Sequence, residues 1–380
     1  MSSPWSGDSA GDVGRDRGRA EESDGIPDLF VAGRGDGAGD GLHHFSRRDG
    51  VWRGRLVGPA DDLAALCWHP TLPVVYGLSG LGRGRLHAWG VDGVPTRAAV
   101  ELAAMDCLGD IPCDLAVDPS GTILVAANFG SGTLSIWHLD SAGVPLDAGA
   151  MIQLSGRSES GLPSQAGPHP HQVVFHDGSL SVPDYGTDLI RQFTVDVSAP
   201  GPAALRERAG TPTPAGTAPR HLVLLPAAGS GSTARVAVSG ELGSTVLTGV
   251  LDATGSAWAE VPGTEHTGPA RSRHERNYPG DIKLGTDGRT IYFANRGYDT
   301  VSVFDAGGEA PVPIVEIDSG VAWPQHLLVE ERWLLVAGWD SSAVVALPLA
   351  GGVPGEAQHL FDCHGAGWLL ADRRRVSAGE

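Results

Sequence analysis

Pro219-Arg220-His221-Leu222 is one of five copies of a phrase spaced along the chain. The others are Pro112-Cys113-Asp114-Leu115, Pro170-His171-Gln172-Val173, Pro279-Gly280-Asp281-Ile282 and Pro324-Gln325-His326-Leu327. Each copy opens on proline, ends on an apolar residue, and carries a different polar or charged residue between. Each leads into an apolar run, a short polar turn and a second apolar run. The turns are Asn128-Phe129-Gly130, Asp184-Tyr185-Gly186, Glu241-Leu242-Gly243, Asn295-Arg296-Gly297 and Gly338-Trp339-Asp340. A repeat of roughly 40–60 residues built from several short strands is the mark of a β-propeller. Helical periodicity is absent, so the expected fold is all-β, a seven-bladed β-propeller.

The count of seven comes from six units near residues 62–100, 112–150, 169–200, 218–255, 278–318 and 323–350, plus a composite blade. At the N-terminal end, strand patterns at Asp28–Gly33, Gly41–Ser46 and Val51–Val57 lack the proline opening. At the far end, Ala366–Ala371 is an apolar strand with no hairpin after it. Pairing the two ends in one blade hides edges that an open array would expose. The domain is therefore expected to span residues 27–371, between a disordered tail (1–26) and a C-terminal tail (372–380). Ser135-Ile136-Trp137 and Ser302-Val303-Phe304 read as third strands. Ala227–Ala234 and Gly263–Asn277 read as surface insertions, the second carrying His266, Arg271, Arg273, His274 and Arg276.

A chain of 380 residues with 41% hydrophobic content can bury a large core as one domain, and its 55 glycines and 27 prolines suit many tight turns. The formal charge of −18 argues against nucleic acid or an anionic membrane as partners of the general surface. An anionic ligand must then meet a local group of cations. Cys67, Cys107, Cys113 and Cys363 lack metal-type spacing and read as free thiols. No apolar run is long enough for a signal peptide or membrane span, so a cytoplasmic protein, a monomer or weak oligomer, is expected.

Aligning the openings sets His171 and Arg220 at equivalent positions in consecutive blades. Aligning the turns sets Glu241 with Asn128, Asp184 and Asn295, and Arg296 with Phe129, Tyr185 and Trp339. Inner strands of a propeller start near one mouth of the central channel, so His171, Arg220, Glu241 and Arg296 are the candidate catalytic residues. Guanidiniums suit an anion or a developing oxyanion, and an imidazole or carboxylate moves a proton. His169, Asp184 and Arg276 are the candidate substrate-binding residues. The bland alternatives are that Asn128, Asp184 and Asn295 close Asx-turns, that the arginines bridge blade seams, and that His169, His176 and His221 are structural. There is no Gly-x-Ser-x-Gly, no His-Glu-x-x-His and no phosphate loop. No cofactor and no metal are expected, although Asn128, Asp184, Glu241 and Asn295 offer an alternative as an oxygen ring for calcium.

Gly167-Pro168-His169-Pro170-His171, Val182-Pro183-Asp184-Tyr185-Gly186-Thr187-Asp188, Ala218-Pro219-Arg220-His221-Leu222 and Asn295-Arg296-Gly297-Tyr298-Asp299-Thr300-Val301 together resemble the lactonase family of seven-bladed propellers. That family includes a bacterial type of 6-phosphogluconolactonase and the fungal carboxy-muconate lactonizing enzymes. The resemblance covers roughly residues 27 to 371 and implies an active-site His, Arg, Glu and second Arg, which fall on His171, Arg220, Glu241 and Arg296. It implies metal-independent hydrolysis of a small anionic sugar lactone, 6-phosphogluconolactone first, in carbohydrate metabolism by the pentose phosphate pathway. Lactone chemistry on a dicarboxylate, a calcium-dependent lactonase and a non-catalytic interaction scaffold are the alternatives. The Gly-rich insertion before Glu241, the weak terminal blades and the long N-terminal tail depart from the family pattern.

Overall fold

The structure, a computed structural model, describes residues 25–34, 40–226, 234–253, 258–265 and 276–374. The N-terminal tail to residue 24, residues 227–233 of the first insertion, His266, Arg271, Arg273 and His274 of the second, and residues 375–380 lie outside the described residues.

Among the described residues the chain forms seven antiparallel sheets, the blades of a propeller. Blade one is composite: Trp368–Ala371 is its innermost strand and pairs with Leu29–Gly33, Leu29 opposite Ala371 and Ala32 opposite Trp368. The inner strands of blades two to seven are Leu63–Trp68, Pro112–Val117, Val174–His176, Pro219–Leu225, Pro279–Leu284 and Pro324–Glu330. The third strands expected around Ile136 and Val303 are present as Thr133–His138 and Thr300–Asp305.

The units run longer than the sequence pattern suggested. Outermost strands such as Val100–Asp110, Leu205–Pro212 and Gln358–Asp362 face solvent along much of their length. They therefore lack the apolar alternation that marks the inner strands. The ordered chain also continues past residue 371. Asp372 is buried, its backbone N–H donates to the Asp28 carbonyl at 2.8 Å, and its carboxylate meets His44 Nε2 at 2.9 Å. Asp372 is thus held within the fold.

Neighbouring blades are glued by alternation along the second strands. In Ile123–Asn128, Leu124 and Ala126 pack into the seam with blade two, while Ile123, Val125 and Ala127 pack into the seam with blade four. The closing seam between blades seven and one holds Leu29, Val31 and Phe45 against Trp333, Leu335 and Val344. There the Phe45 and Phe361 rings stack with centroids 3.8 Å apart. Each such aromatic buries enough surface to contribute about 1.5–3 kcal/mol.

The opening phrase has a physical reading once the seams are seen. In four of the five copies the third residue reaches across to the next blade and accepts an inner-strand backbone N–H there, while the fifth, His221, meets Asp281 instead. Asp114 Oδ2 accepts from Val173 at 2.8 Å, Gln172 Oε1 from Leu222 at 2.7 Å, Asp281 Oδ2 from Leu327 at 3.0 Å, and His326 Nδ1 from Leu369 at 3.2 Å. These side chains supply partners for inner-strand N–H groups that no sheet partner reaches. The fourth residues, Leu115, Val173, Leu222, Ile282 and Leu327, are buried. Four of the five second residues, Cys113, His171, Arg220 and Gln325, face the mouth of the channel.

Candidate active site

The second residues of the openings and the first residues after each second strand form two rings at one mouth of the propeller. The register of the hairpins corrects the sequence alignment by one residue. Gly240 pairs with Thr245 as Asn128 pairs with Thr133, Asp184 with Leu189 and Asn295 with Thr300. Glu241 is therefore the equivalent of Phe129, Tyr185, Arg296 and Trp339. The backbone N–H of Phe129, Tyr185, Glu241 and Trp339 donates in each case to the carbonyl just before an inner-strand opening, at Ile111, His169, Ala218 and Trp323. A one-residue slip reverses the face of a side chain. It is why Glu241 enters the cavity while Asn128, Asp184 and Asn295, all fully buried, point back into their blades.

Those three are held internally. Asn128 Nδ2 donates to Ser135 at 2.8 Å, and Asn295 Nδ2 to Ser302 at the same distance. Asp184 accepts from the backbone N–H of His169 at 2.7 Å and Gly186 at 3.0 Å, and pairs with Arg191 at 2.7 Å. Asn128, Asp184, Glu241 and Asn295 do not converge as the calcium ring suggested by the turn alignment, and Asp184 closes its own turn and does not line the cavity that Glu241 enters.

The four candidate catalytic residues do share one cavity of about 470 Å³, walled also by Arg34, Cys113, Phe129, His221, Tyr278, Trp323, Gln325, Trp339 and Trp368. Its volume suits a small ligand. A larger cavity of about 670 Å³ lies at the seam of blades one and two beside His69 and Arg374. Its Asp372 and Arg374 are hydrogen-bonded to each other.

Glu241 is the centre of the smaller cavity. Its Oε2 accepts from Arg220 Nη1 at 3.0 Å and from Arg296 Nη2 at 2.9 Å, and its backbone carbonyl accepts from Arg276 Nη1 at 3.1 Å. Among the described residues no side chain bonds Oε1, which leaves that oxygen turned to the cavity. Burial pushes the Glu241 carboxyl up, but Arg296, Arg220 and Arg276 outweigh it and hold the group below its ordinary value. Arg296 is fixed further by Nε donating to the Tyr278 carbonyl at 2.7 Å and Nη1 to Gln325 at 3.2 Å. It fits because Gly280, the second residue of its blade's opening, has no side chain: a Cβ there would stand 3.1 Å from the Arg296 stem.

Arg220 Nη1 also donates to Nε2 of His171. A guanidinium has no lone pair to offer, so His171 Nε2 is the acceptor and the ring proton sits on Nδ1. That Nδ1 is buried without a partner. Burial, then Arg220, His221 and Arg296, push the imidazole well below its ordinary pKa, and it is neutral.

Beneath this layer lies a network the sequence did not reveal. Fully buried Asp281 accepts from His221 Nδ1 at 2.8 Å, pairs with Lys283 Nζ at 2.9 Å and faces His326 Nε2 at 3.5 Å. Burial would raise its pKa, but Lys283, His326 and His221 carry it well below the ordinary carboxylate range. Trp368 stacks on His326 at 4.2 Å and closes the cavity floor. Of the candidate substrate contacts, His169 stacks on Phe129 with centroids 4.7 Å apart and its Nδ1 lies 2.7 Å from the Phe129 carbonyl, behind the wall. Arg276 lies over the Tyr278 ring at 4.1 Å and braces Glu241 from outside. Neither lines the cavity.

Two guanidiniums and a carboxylate at one mouth of a seven-bladed propeller are what the lactonase resemblance implied. Residues 42–364 match the family described as Lactonase, 7-bladed beta-propeller, and the chain belongs to that family. It is similar to a probable 6-phosphogluconolactonase of Arthroderma benhamiae, 29% identical over 63% of this chain and 61% of the relative. It is also similar to a 6-phosphogluconolactonase of Formosa agariphila, 25% identical over 52% of this chain and 54% of that one. The chain thus spans little more than half the length of these relatives. The solved structure of a periplasmic gluconolactonase from Pseudomonas aeruginosa shares the fold, with a TM-score of 0.74 at 20% identity over 90% of this chain and 98% of that one.

Proposed function

We propose that this protein hydrolyses a sugar lactone, 6-phosphogluconolactone to 6-phosphogluconate, without a metal. The observation that carries the proposal is Glu241: a partly buried carboxylate with one oxygen held by two arginines and the other open to the cavity. In this reading Oε1 takes a proton from water as the water oxygen bonds to the acyl carbon. The carbonyl oxygen becomes an oxyanion beside Arg220 and Arg296. Collapse breaks the bond to the ring oxygen, which takes up the proton that Glu241 received from water. A carboxylate of low pKa is a weak base, yet sufficient for a lactone that already hydrolyses spontaneously. The family match and the names of the two relatives support this reading.

The test is to incubate the pure protein with freshly prepared 6-phosphogluconolactone and follow release of 6-phosphogluconate, with and without EDTA. Release well above the spontaneous rate, unaffected by EDTA, is expected. A rate equal to the spontaneous one would leave the interaction-scaffold alternative standing, and turnover of an unsaturated dicarboxylate instead would favour the lactonizing alternative. Cytoplasmic location belongs to the same proposal: no helix among the described residues is long and apolar enough to cross a membrane. Cell fractionation checks it.

A further inference from the structure

Arg34 is the group in this cavity that the reaction scheme above does not use. It follows Leu29–Gly33 as Arg296 follows Thr290–Asn295 and Trp339 follows Trp333–Gly338. Its backbone N–H donates to the Gly365 carbonyl at 3.1 Å, next to the innermost strand of its blade, as its counterparts donate in theirs. Arg34 is thus blade one's member of the ring that supplies Glu241 and Arg296. Blades five and six, which carry those two residues, lie three and two blades from blade one around the ring.

The setting of Arg34 differs from that of the other two cavity arginines. Arg220 and Arg296 both hold the Glu241 carboxylate at about hydrogen-bond length. The Arg34 guanidinium instead lies over the Trp339 ring, its Cζ 4.5 Å from the centroid. Its nearest described carboxylate oxygen, on Asp62, is 3.9 Å from Nε, and that Nε is buried with no hydrogen-bond partner. Stacking on an indole fixes the plane of a guanidinium and leaves its edge free for a bidentate anion. In blade two the corresponding inward positions are Ala64 and Gly80, which add almost no side chain to the space beside Arg34. Around the cavity three arginines face one glutamate, an excess of positive charge in a chain of formal charge −18.

We propose that Arg34, held by Trp339, is a specificity-determining residue that binds an anionic group at the end of the substrate remote from the reacting carbon, a phosphate monoester in the lactone proposed above. The inference rests on that reading of the site but is tested separately from it. Wild type, Arg34→Gln and Arg34→Lys would each be assayed on 6-phosphogluconolactone and on unphosphorylated glucono-1,5-lactone. Titration calorimetry would measure binding of the products, 6-phosphogluconate and gluconate. Arg34→Gln should lower kcat/KM for the phosphorylated lactone about 10- to 100-fold, chiefly through KM, and change the unphosphorylated one less than about twofold. Arg34→Lys should fall between. Equal losses on both lactones, or no loss, overturn the proposal. Should wild type open neither lactone, the functional reading fails and the calorimetry decides. Selective binding of 6-phosphogluconate that Arg34→Gln abolishes upholds the Arg34 site, and its absence removes it.

Discussion

Arg220 and Arg296 converge on a single atom, Oε2 of Glu241, at 3.0 and 2.9 Å. One cation comes from the blade that carries Glu241 and the other from the next blade, so the carboxylate is fixed in orientation. The same contact keeps two like charges together in a buried site that neither would tolerate alone.

Replacing Glu241 with Gln keeps the shape and leaves Oε1 or Nε2 facing the cavity, but removes the base. The expected outcome is a fall in kcat of roughly 10²-fold or more, with KM changed much less. Steady-state kinetics on 6-phosphogluconolactone check this. Unchanged turnover would remove Glu241 from the chemistry.

Arg296→Lys keeps a charge but cannot hold Glu241, Gln325 and the Tyr278 carbonyl together. KM should rise more than kcat falls if Arg296 chiefly clamps the substrate. Because Arg296 is the foremost charge holding the Glu241 carboxyl down, the acid limb of the pH–rate profile should move upward in the variant.

The wild-type profile has a predictable form. Glu241 sits below the ordinary glutamate value, so activity that needs its carboxylate should persist to pH below 4.5 before falling. His171 sits well below 6.5 and stays neutral, so kcat/KM should show no break between pH 6 and 7 from this residue. An inflection there that disappears in His171→Gln would overturn the assignment.

Asp114 supplies a test away from the chemistry. Burial raises its carboxyl from 3.8 to about 7 although the Val173 N–H favours the charged form. A raised acid disfavours the folded state progressively as pH climbs from the unfolded value to the folded one, with no further loss above about 7. Asp114→Asn retains an acceptor for Val173 without the buried charge. Its thermal midpoint should exceed that of wild type by roughly a few degrees at pH 8 and show no gain at pH 4. A lower midpoint at both would show that the charge itself holds the seam.

Much of this was legible in the residue pattern. The proline openings marked the inner strands, and the orphan Ala366–Ala371 pointed to the composite blade, because both signals come from local backbone demands. His171, Arg220, Glu241 and Arg296 could be singled out because charged residues at repeat-equivalent positions stand out against the other copies. The turn alignment slipped by one at Glu241 because Gly240 occupies the place where other blades have Asn or Asp, and only hairpin register discriminates the two. Arg34 was missed because its blade is assembled from both chain ends and has no proline opening to align. Asp281 and His221 are ordinary members of the openings in sequence, and their joining depends on side chains meeting across a blade seam.

The composite blade makes the site a reporter of chain integrity. Trp368, the floor of the cavity, belongs to the same four-residue strand that closes the ring. A protein clipped just before it would still carry every charged group of the mouth, yet would have neither a sealed circle nor a bottom to its binding cavity. Loss of that one strand would thus remove the closure of the ring and a wall of the cavity together.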